Sequence, residues 1–258
     1  MSKVFLSAGH GGTDPGAVGN GLKEKDINLN ILLACKNELK RHGVTVICSR
    51  ISDEDDRVGD EVKEANDSGA DVAVSFHTNA GGGDGSESFY YGTSSKGKTL
   101  AELCEKYTKD IGQNSRGTKN GSHLYFIKRT KMPAVLCECA FIDNIDDVQI
   151  IDTLDEQKAF GVAYAKAILE YLGISYINPN PALAPVPQAA PIPANNGYMV
   201  KITCDTLRVR TGPGTNYYIS TRIYKNEVYT IVGEKNGWGQ LKSGAGWISL
   251  NYTKRVNQ

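Results

Sequence analysis

The 258-residue chain is 40% hydrophobic and 22% charged with a formal net charge of zero, a globular composition with room for one full core and a small satellite domain. No apolar run approaches the roughly 20 residues that span a bilayer, and the N-terminus enters a short strand-like run without charged leader or cleavage site, so neither a membrane span nor a signal peptide is expected. The neutral total hides a split: nine Lys/Arg against three Asp/Glu after residue 197 give +6, whereas residues 1–174 carry 20 against 26, giving −6.

In chain order, residues 3–8 predict a strand buried on both faces. It ends at His10 in a glycine-rich turn, Gly9-His10-Gly11-Gly12-Thr13-Asp14-Pro15-Gly16, whose glycines permit positive φ. Asp26 predicts the cap of a helix with Ile27, Ile31, Cys35 and Leu39 on one side and Gly43 as its stop. Residues 44–48 form the next strand, and the charged stretch from Asp53 to Ser68 predicts a surface helix ended by Gly69. Residues 72–76 and 88–91 are further strands, with His77 just past the first of them. Leu100, Leu103, Tyr107 and Ile111 mark one face of a helix. Residues 124–127 and 134–139 read as two more strands. A last helix carries Phe160, Tyr164, Ala167, Ile168 and Tyr171 and ends near Gly173. The alternation predicts an α/β domain over residues 1–174, a single mostly parallel or mixed sheet with helices on both faces, with ligands gathered at the carboxyl ends of its strands.

Residues 175–197 hold six of the nine prolines and no charge, the signature of an extended, semi-stiff linker. Residues 198–258 change again, to short β-like runs with turns at Gly212-Pro213-Gly214 and Asn236-Gly237, the pattern of a small all-β barrel. A basic module tied to an acidic domain points to a polyanionic surface as partner. Nucleic acid is set aside, because no helix-turn-helix, RNP or zinc-finger pattern is found. Six scattered cysteines without an export signal read as reduced, buried thiols rather than a disulfide framework. Cys137 and Cys139, a close pair without a second one, are not read as a metal site.

Four residues carry the chemistry. His10 and His77 sit just past strand ends, and Glu24 stands at a helix entrance. Two imidazoles and a carboxylate are the donor set of many catalytic zinc sites, which keep a fourth position for water. With no HExxH, the ligands must come from three separate elements. Taken singly, each has a plainer reading, a hydrogen-bonded structural histidine or, for Glu24 between Lys23 and Lys25, a solvated carboxylate. Glu138 lies inside an apolar strand, pointing away from Cys137 and Cys139. Unpaired and ionised there it would cost several kcal/mol, so it is either bridged to Arg50 or Arg57 or is a carboxyl of raised pKa serving as general base and then acid.

Gly-His-Gly-Gly-x-Asp-Pro-Gly-Ala, Gly-x-x-Glu-Lys-Asp-x-Asn-Leu, Ser-Phe-His-Thr-Asn-Ala and Pro-Ala-Val-Leu-x-Glu-x-x-Phe-Ile-x-Asn, in this order, resemble the zinc-dependent N-acetylmuramoyl-L-alanine amidases of the type 3 group, over residues 3 to 172. The resemblance implies one zinc ion on His10, Glu24 and His77, with Glu138 as the essential glutamate. The chain departs at Ala140, where the family often has glycine. Leu207-Arg208-Val209-Arg210-Thr211-Gly212-Pro213-Gly214, Asn236-Gly237-Trp238 and Gly246-Trp247-Ile248 resemble a bacterial SH3-type domain, which implies cell-wall binding, with Trp238 and Trp247 in its core.

The function implied is hydrolysis of the amide between N-acetylmuramic acid and L-alanine of the peptidoglycan stem, in the manner of a phage endolysin held in the host cytoplasm until lysis. A bacterial autolysin, a sporulation amidase and a non-catalytic wall-binding protein are the alternatives. His123 is a candidate substrate contact or a plain surface histidine. The expected partners are peptidoglycan and an anionic wall polymer. Self-association through the C-terminal domain would follow if Met199 opens an internal start.

Overall fold

The computed structural model describes residues 2–178, 197–204, 206–214, 217 and 219–256. The chain divides into two compact units, Met1–Ile177 and Asn178–Gln258. Most of the expected proline-rich linker, residues 179–196, lies outside the described residues.

The first unit runs β1 (Lys3–Ala8), β2 (Val18–Gly19), β3 (Leu22–Lys23), α1 (Glu24–Arg41), β4 (Thr45–Cys48), α2 (Val58–Ser68), β5 (Val72–Asn79), β6 (Ser86–Tyr90), α3 (Ser95–Asp110), β7 (Ser115–Asn120), α4 (Tyr125–Arg129), β8 (Ala134–Phe141), α5 (Ile145–Val148) and α6 (Leu154–Tyr171). Six strands form one mixed sheet in the order β4-β1-β5-β8-β6-β7. The first four are parallel, β6 is antiparallel to β8, and β7 is parallel to β6. β1, β5 and β8 are largely apolar because helices cover both of their faces.

On one face, Phe5, Ala73, Ala134 and Leu136 pack with Val62 and Ala65 of α2 and Phe126 and Ile127 of α4. The other face carries α1, α3 and α6, with Phe76 of β5 against Tyr164 of α6 at 5.2 Å between ring centroids. Gly161 lets α6 close on α1, since a Cβ there would meet Ala34 Cβ and Ile31 O at 2.5 Å. Val72, Val74, Phe76 and Thr78 therefore face these helices, while Ser75, His77 and Asn79 face the opposite side. An irregularity interrupts the β5–β8 ladder: His77 pairs with Glu138, but Asn79 pairs with Phe141, so β8 spends one residue more than β5.

Several elements differ from expectation. Residues 124–127 are not a strand. They enter the helical turn α4, which sets Phe126 and Ile127 against Val62 and Ala65 of α2 and the sheet. The strand in this region is β7, a polar run that pairs only with β6 and forms a sheet edge, as edge strands commonly are. β5 continues three residues past its apolar run, so His77 lies within a strand rather than beyond it. α1 begins at Glu24, with Asp26 inside its first turn, and α2 begins at Val58 and stops at left-handed Gly69. The buried face of α3 runs through Gly97, Leu100, Ala101, Cys104, Glu105 and Thr108, rotated from the predicted stripe because Glu105 and Thr108 hydrogen-bond Ser86 and Ser88 of β6. None of the six cysteines forms a disulfide among the described residues. Among the described residues, no helix is long and apolar enough to cross a membrane.

The second unit is a seven-stranded antiparallel sheet built from β9 (Tyr198–Ile202), β10 (Thr206–Arg210), β11 (Ile219–Tyr224), β12 (Val228–Lys235), β13 (Trp238–Leu241), β14 (Trp247–Ser249) and β15 (Thr253–Val256), in the order β11-β10-β14-β13-β12-β9-β15. Asn236 and Gly237, at φ 53 and 80, form the tight β12–β13 turn, as expected for an Asn-Gly hairpin. Its core is Val200, Ile202, Leu207, Val209, Ile223, Ile231, Leu241 and Ile248. Trp238 and Trp247 are half-buried and lie outside that cluster, a correction to their expected place. Gly239, Leu241 and Ile248 take the inward positions, and strand alternation turns both indoles the other way.

Candidate active site

The site forms where β1, β5 and β8 end beside the start of α1. At the end of β1 the chain turns sharply, with His10 itself in the left-handed region at φ 65, a conformation that costs a non-glycine residue about 1 kcal/mol or more and accumulates at functional sites. The turn is held from outside. Gly12 N donates to Asp53 Oδ1 at 2.8 Å, and Thr13 donates to Asp55 Oδ1 through its amide at 2.7 Å and its hydroxyl at 2.8 Å. Lys25 Nζ donates to Gly12 O at 2.9 Å and pairs with Asp53 at 2.7 Å. Arg50, almost fully buried, donates to the carbonyls of Ala8, Gly9, Lys25 and Ser52. It thus ties β1, α1 and the loop together and is not the ion-pair partner of Glu138.

His10, Glu24 and His77 each turn one donor atom inward, and these atoms lie within 4.8 Å of one another. His10 Nε2 stands 3.3 Å from Glu24 Oε2, and His77 Nδ1 stands 3.1 Å from Glu24 Oε1. The two rings are 5.4 Å apart, edge to face. Supporting bonds fix His10 and Glu24, and close packing on Gly9 seats the His77 ring. Asp14 Oδ2 meets His10 Nδ1 at 2.8 Å, which leaves Nε2 for the centre. Ala17 N donates to Glu24 Oε2 at 2.8 Å, while Thr78 N at 3.0 Å and Asn28 Nδ2 at 3.3 Å donate to its Oε1. Two glycines make the space. A Cβ on Gly9 would lie 2.1 Å from His77 Cε1, and one on Gly16 2.6 Å from Glu24 Oε2.

Electrostatics follow from this packing. The hydrogen bond to Glu24 lifts His10 to about 9, against the opposing effect of burial and with further help from Asp14. Burial would raise the Glu24 carboxyl, but hydrogen bonds from His10 and His77 outweigh it and hold Glu24 far below the usual carboxylate range. His77 is raised too, burial notwithstanding, by Glu24 and Glu138.

Glu138 stands beside His77, paired with it across the parallel ladder. Its Oε2 is enclosed and has no hydrogen-bond partner, and among the described residues it has no ion pair. Burial is the main cause of its carboxyl's rise to about 7, with His77 opposing and Glu24 adding to the rise. Three converging donors, His10 and Glu24 each held by a further bond, and one enclosed unpartnered carboxyl oxygen beside them fit a divalent cation with a proton acceptor at its side.

Asp14, Asn28, Arg50, Asp53 and Asp55 position the site and were not identified from the sequence. Asp53 and Asp55 precede α2, which begins at Val58, although the charge pattern of this stretch predicts a helix surface from Asp53 onward. The structure does not bring His123 to the site. Its turn follows Asn120, which is paired with Tyr90 opposite Val135, toward the other end of β8 from Glu138.

A family model described as N-acetylmuramoyl-L-alanine amidase matches residues 4–170, and one described as bacterial SH3 domain matches residues 205–254. The sporulation-specific N-acetylmuramoyl-L-alanine amidase of Bacillus subtilis strain 168 is 37% identical over 157 residues, 59% of this chain and 61% of that protein. The endolysin of Bacillus phage SPP1 is 39% identical over 184 residues, 67% of this chain and 68% of its own. The catalytic domain of CwlV, an N-acetylmuramoyl-L-alanine amidase from Bacillus (Paenibacillus) polymyxa var. colistinus, superposes with a TM-score of 0.64 at 32% identity, over 68% of this chain and 100% of that domain. The match to the sporulation amidase thus spans about three fifths of that relative's length.

Proposed function

The chain belongs to the N-acetylmuramoyl-L-alanine amidase family, and from that premise we propose that it hydrolyses the amide between N-acetylmuramic acid and L-alanine of the peptidoglycan stem, with zinc held by His10, Glu24 and His77. The observation that carries this reading is the enclosed, unpartnered Oε2 of Glu138 next to three donor atoms within 4.8 Å of one another. A zinc ion in that position supplies Lewis acidity, lowering the pKa of water from 15.7 to about 7 and polarising the scissile carbonyl.

The residues of the chain do the rest. Glu138, with a carboxyl near 7, accepts the proton of the attacking water at Oε2 and returns it to the departing L-alanine nitrogen. His77, on the neighbouring strand, limits how far the Glu138 carboxyl rises. Asp14 holds the His10 ring with Nε2 inward. The loop at 81–85 borders the site and is fastened by Gly81 N and Gly82 N to Asp143 Oδ2 and by Gly85 N to Asp147 Oδ2, at 2.8 to 2.9 Å. This fixed rim suits a polymer substrate laid along the ends of the strands.

The SH3-type unit binds the wall and, through its basic excess, an anionic wall polymer; it self-associates if Met199 opens an internal start. The whole acts as an endolysin, released from the host cytoplasm onto the wall at lysis. Similarity to the phage SPP1 endolysin, 39% identity over two thirds of both chains, supports that biological setting. Similarity to the sporulation amidase supports a bacterial wall-remodelling enzyme of the same chemistry as the second reading.

Mass spectrometry of digested peptidoglycan tests the reaction. New L-alanine amino termini and free muramyl lactyl ends are expected, abolished by a chelator and restored by zinc. Cleavage at another stem bond would overturn the assignment. Lysis of an expressing culture only after its membrane is permeabilised would favour the endolysin setting.

A further inference from the structure

Glu138 has a second carboxylate as cross-strand neighbour. Glu87 on β6 pairs with it directly and is 5% exposed. Its Oε1 accepts from Asn79 Nδ2 at 3.0 Å, across β8. Its Oε2 accepts from Arg116 Nε at 2.7 Å and from Lys119 Nζ, both on β7. Burial would raise Glu87, but the two cations outweigh it and keep it ionised. Neutralising one carboxylate takes one cation, so the cluster has a positive charge to spare. The Arg116 and Lys119 side chains remain 39% and 36% exposed. Arg116 uses only Nε on Glu87 and rests its guanidinium 5.0 Å from the ring centre of Phe141, near the end of β8. Among the described residues, its two terminal nitrogens make no hydrogen bond. A planar donor pair, fixed by a carboxylate behind it and an aromatic ring beneath it, is a preorganised receptor for another carboxylate.

We propose that Arg116 and Lys119 form a specificity subsite for a free carboxylate on the leaving-amine side of the scissile bond, carried by the stem residue after L-alanine. This rests on the amidase reading above. The distances agree with it. One extended residue spans about 3.5 Å, so the carboxyl of the next stem residue lies some 5–7 Å from the scissile nitrogen. β7 lies two strand spacings, about 10 Å, from β8, and both cations lean back toward β8 through Glu87. Glu87 is a positioning residue: it aims the cations and does not meet the substrate.

The experiment compares two muropeptides that differ only in a free carboxyl or a carboxamide on the second stem residue, each digested by zinc-loaded full-length protein. The wild type is expected to favour the free acid at least tenfold in kcat/KM. Arg116→Gln and Lys119→Gln, each checked for an unchanged melting temperature, should bring that ratio to within about threefold of unity, and Arg116→Lys should fall between. Equal cleavage of acid and amide by the wild type, or variants that lose both by the same factor, would overturn the subsite alone. Cleavage of neither substrate by the wild type would overturn the amidase reading and the subsite with it.

Discussion

His77 and Glu138 occupy paired positions on adjacent parallel strands, so the ring and the carboxyl leave the same face of the sheet side by side. Their proximity is set by backbone hydrogen bonding, not by a flexible loop. Glu138→Gln preserves the side chain's shape and removes the proton acceptor. It should lower kcat about 10²–10⁴-fold with one equivalent of zinc retained, as read by wall digestion beside metal analysis. His77→Ala should lose both.

Gly9 is space reserved for the His77 ring. Gly9→Ala would put a methyl 2.1 Å from Cε1 and 2.4 Å from Nε2, and the neighbouring backbone cannot yield because Gly9 N donates to Phe76 O. Zinc affinity should fall about 10–100-fold, measured by competition with a chromophoric chelator, while the far-ultraviolet circular dichroism stays unchanged.

Asp14 orients His10 through one 2.8 Å contact at Nδ1. Asp14→Asn should weaken zinc binding by about tenfold or more without unfolding the loop, because the Gly11–Asp14 bridge and the Asp53 and Asp55 contacts to Gly12 and Thr13 remain. A zinc titration equal to wild type would show that the contact is incidental.

Glu61 on α2 is 3% exposed, and burial, with Asp56 adding to it, lifts its carboxyl to about 7. Between the unfolded carboxyl's ordinary range and that value, the folded chain holds a proton that the unfolded chain has released. Stability therefore falls as pH rises through this window. Glu61→Gln removes the titration. It should flatten the dependence of melting temperature on pH between 5 and 8 and leave the variant about 1–2 kcal/mol more stable than wild type at pH 8. Parallel curves for the two proteins would refute this.

Attachment to the wall through a unit with nine basic and three acidic residues should weaken as salt shortens the Debye length from about 10 Å at 0.1 M to 3 Å at 1 M. Co-sedimentation with purified walls measures it. Retention independent of ionic strength would assign attachment to uncharged contacts instead, for which the outward-turned Trp238 and Trp247 are available.

The sequence revealed those parts of the fold whose physics is local. β1, β5 and β8 are buried on both sides and read as mainly apolar runs, and Asn236-Gly237 marks its hairpin by backbone preference. His10, Glu24, His77 and Glu138 were legible because each is a polar group where packing alone would not place one. β7 was not legible, because Ser115–Asn120 is polar and its strand conformation comes from pairing with β6. Nor were the duties of Asp53 and Asp55. They bind amides some forty positions away, and such long-range pairings leave no local periodicity. The Glu87–Arg116–Lys119 cluster was hidden for the same reason, its members joined only once β6 and β7 lie together.

The surplus residue in β8, where Asn79 meets Phe141 rather than the position two after Glu138, makes segment length as consequential as residue identity. It switches the side of the sheet that the strand presents, delivering Phe141 beneath Arg116 while Cys139 stays among the helices near Thr78. Were the ladder regular with the same residues, the buried Ala140 would meet Asn79 and the phenyl group would point into the helical layer. A change of length between the glutamate and the aromatic ring thus leaves the ring in place only where the bulge is gained or lost with it.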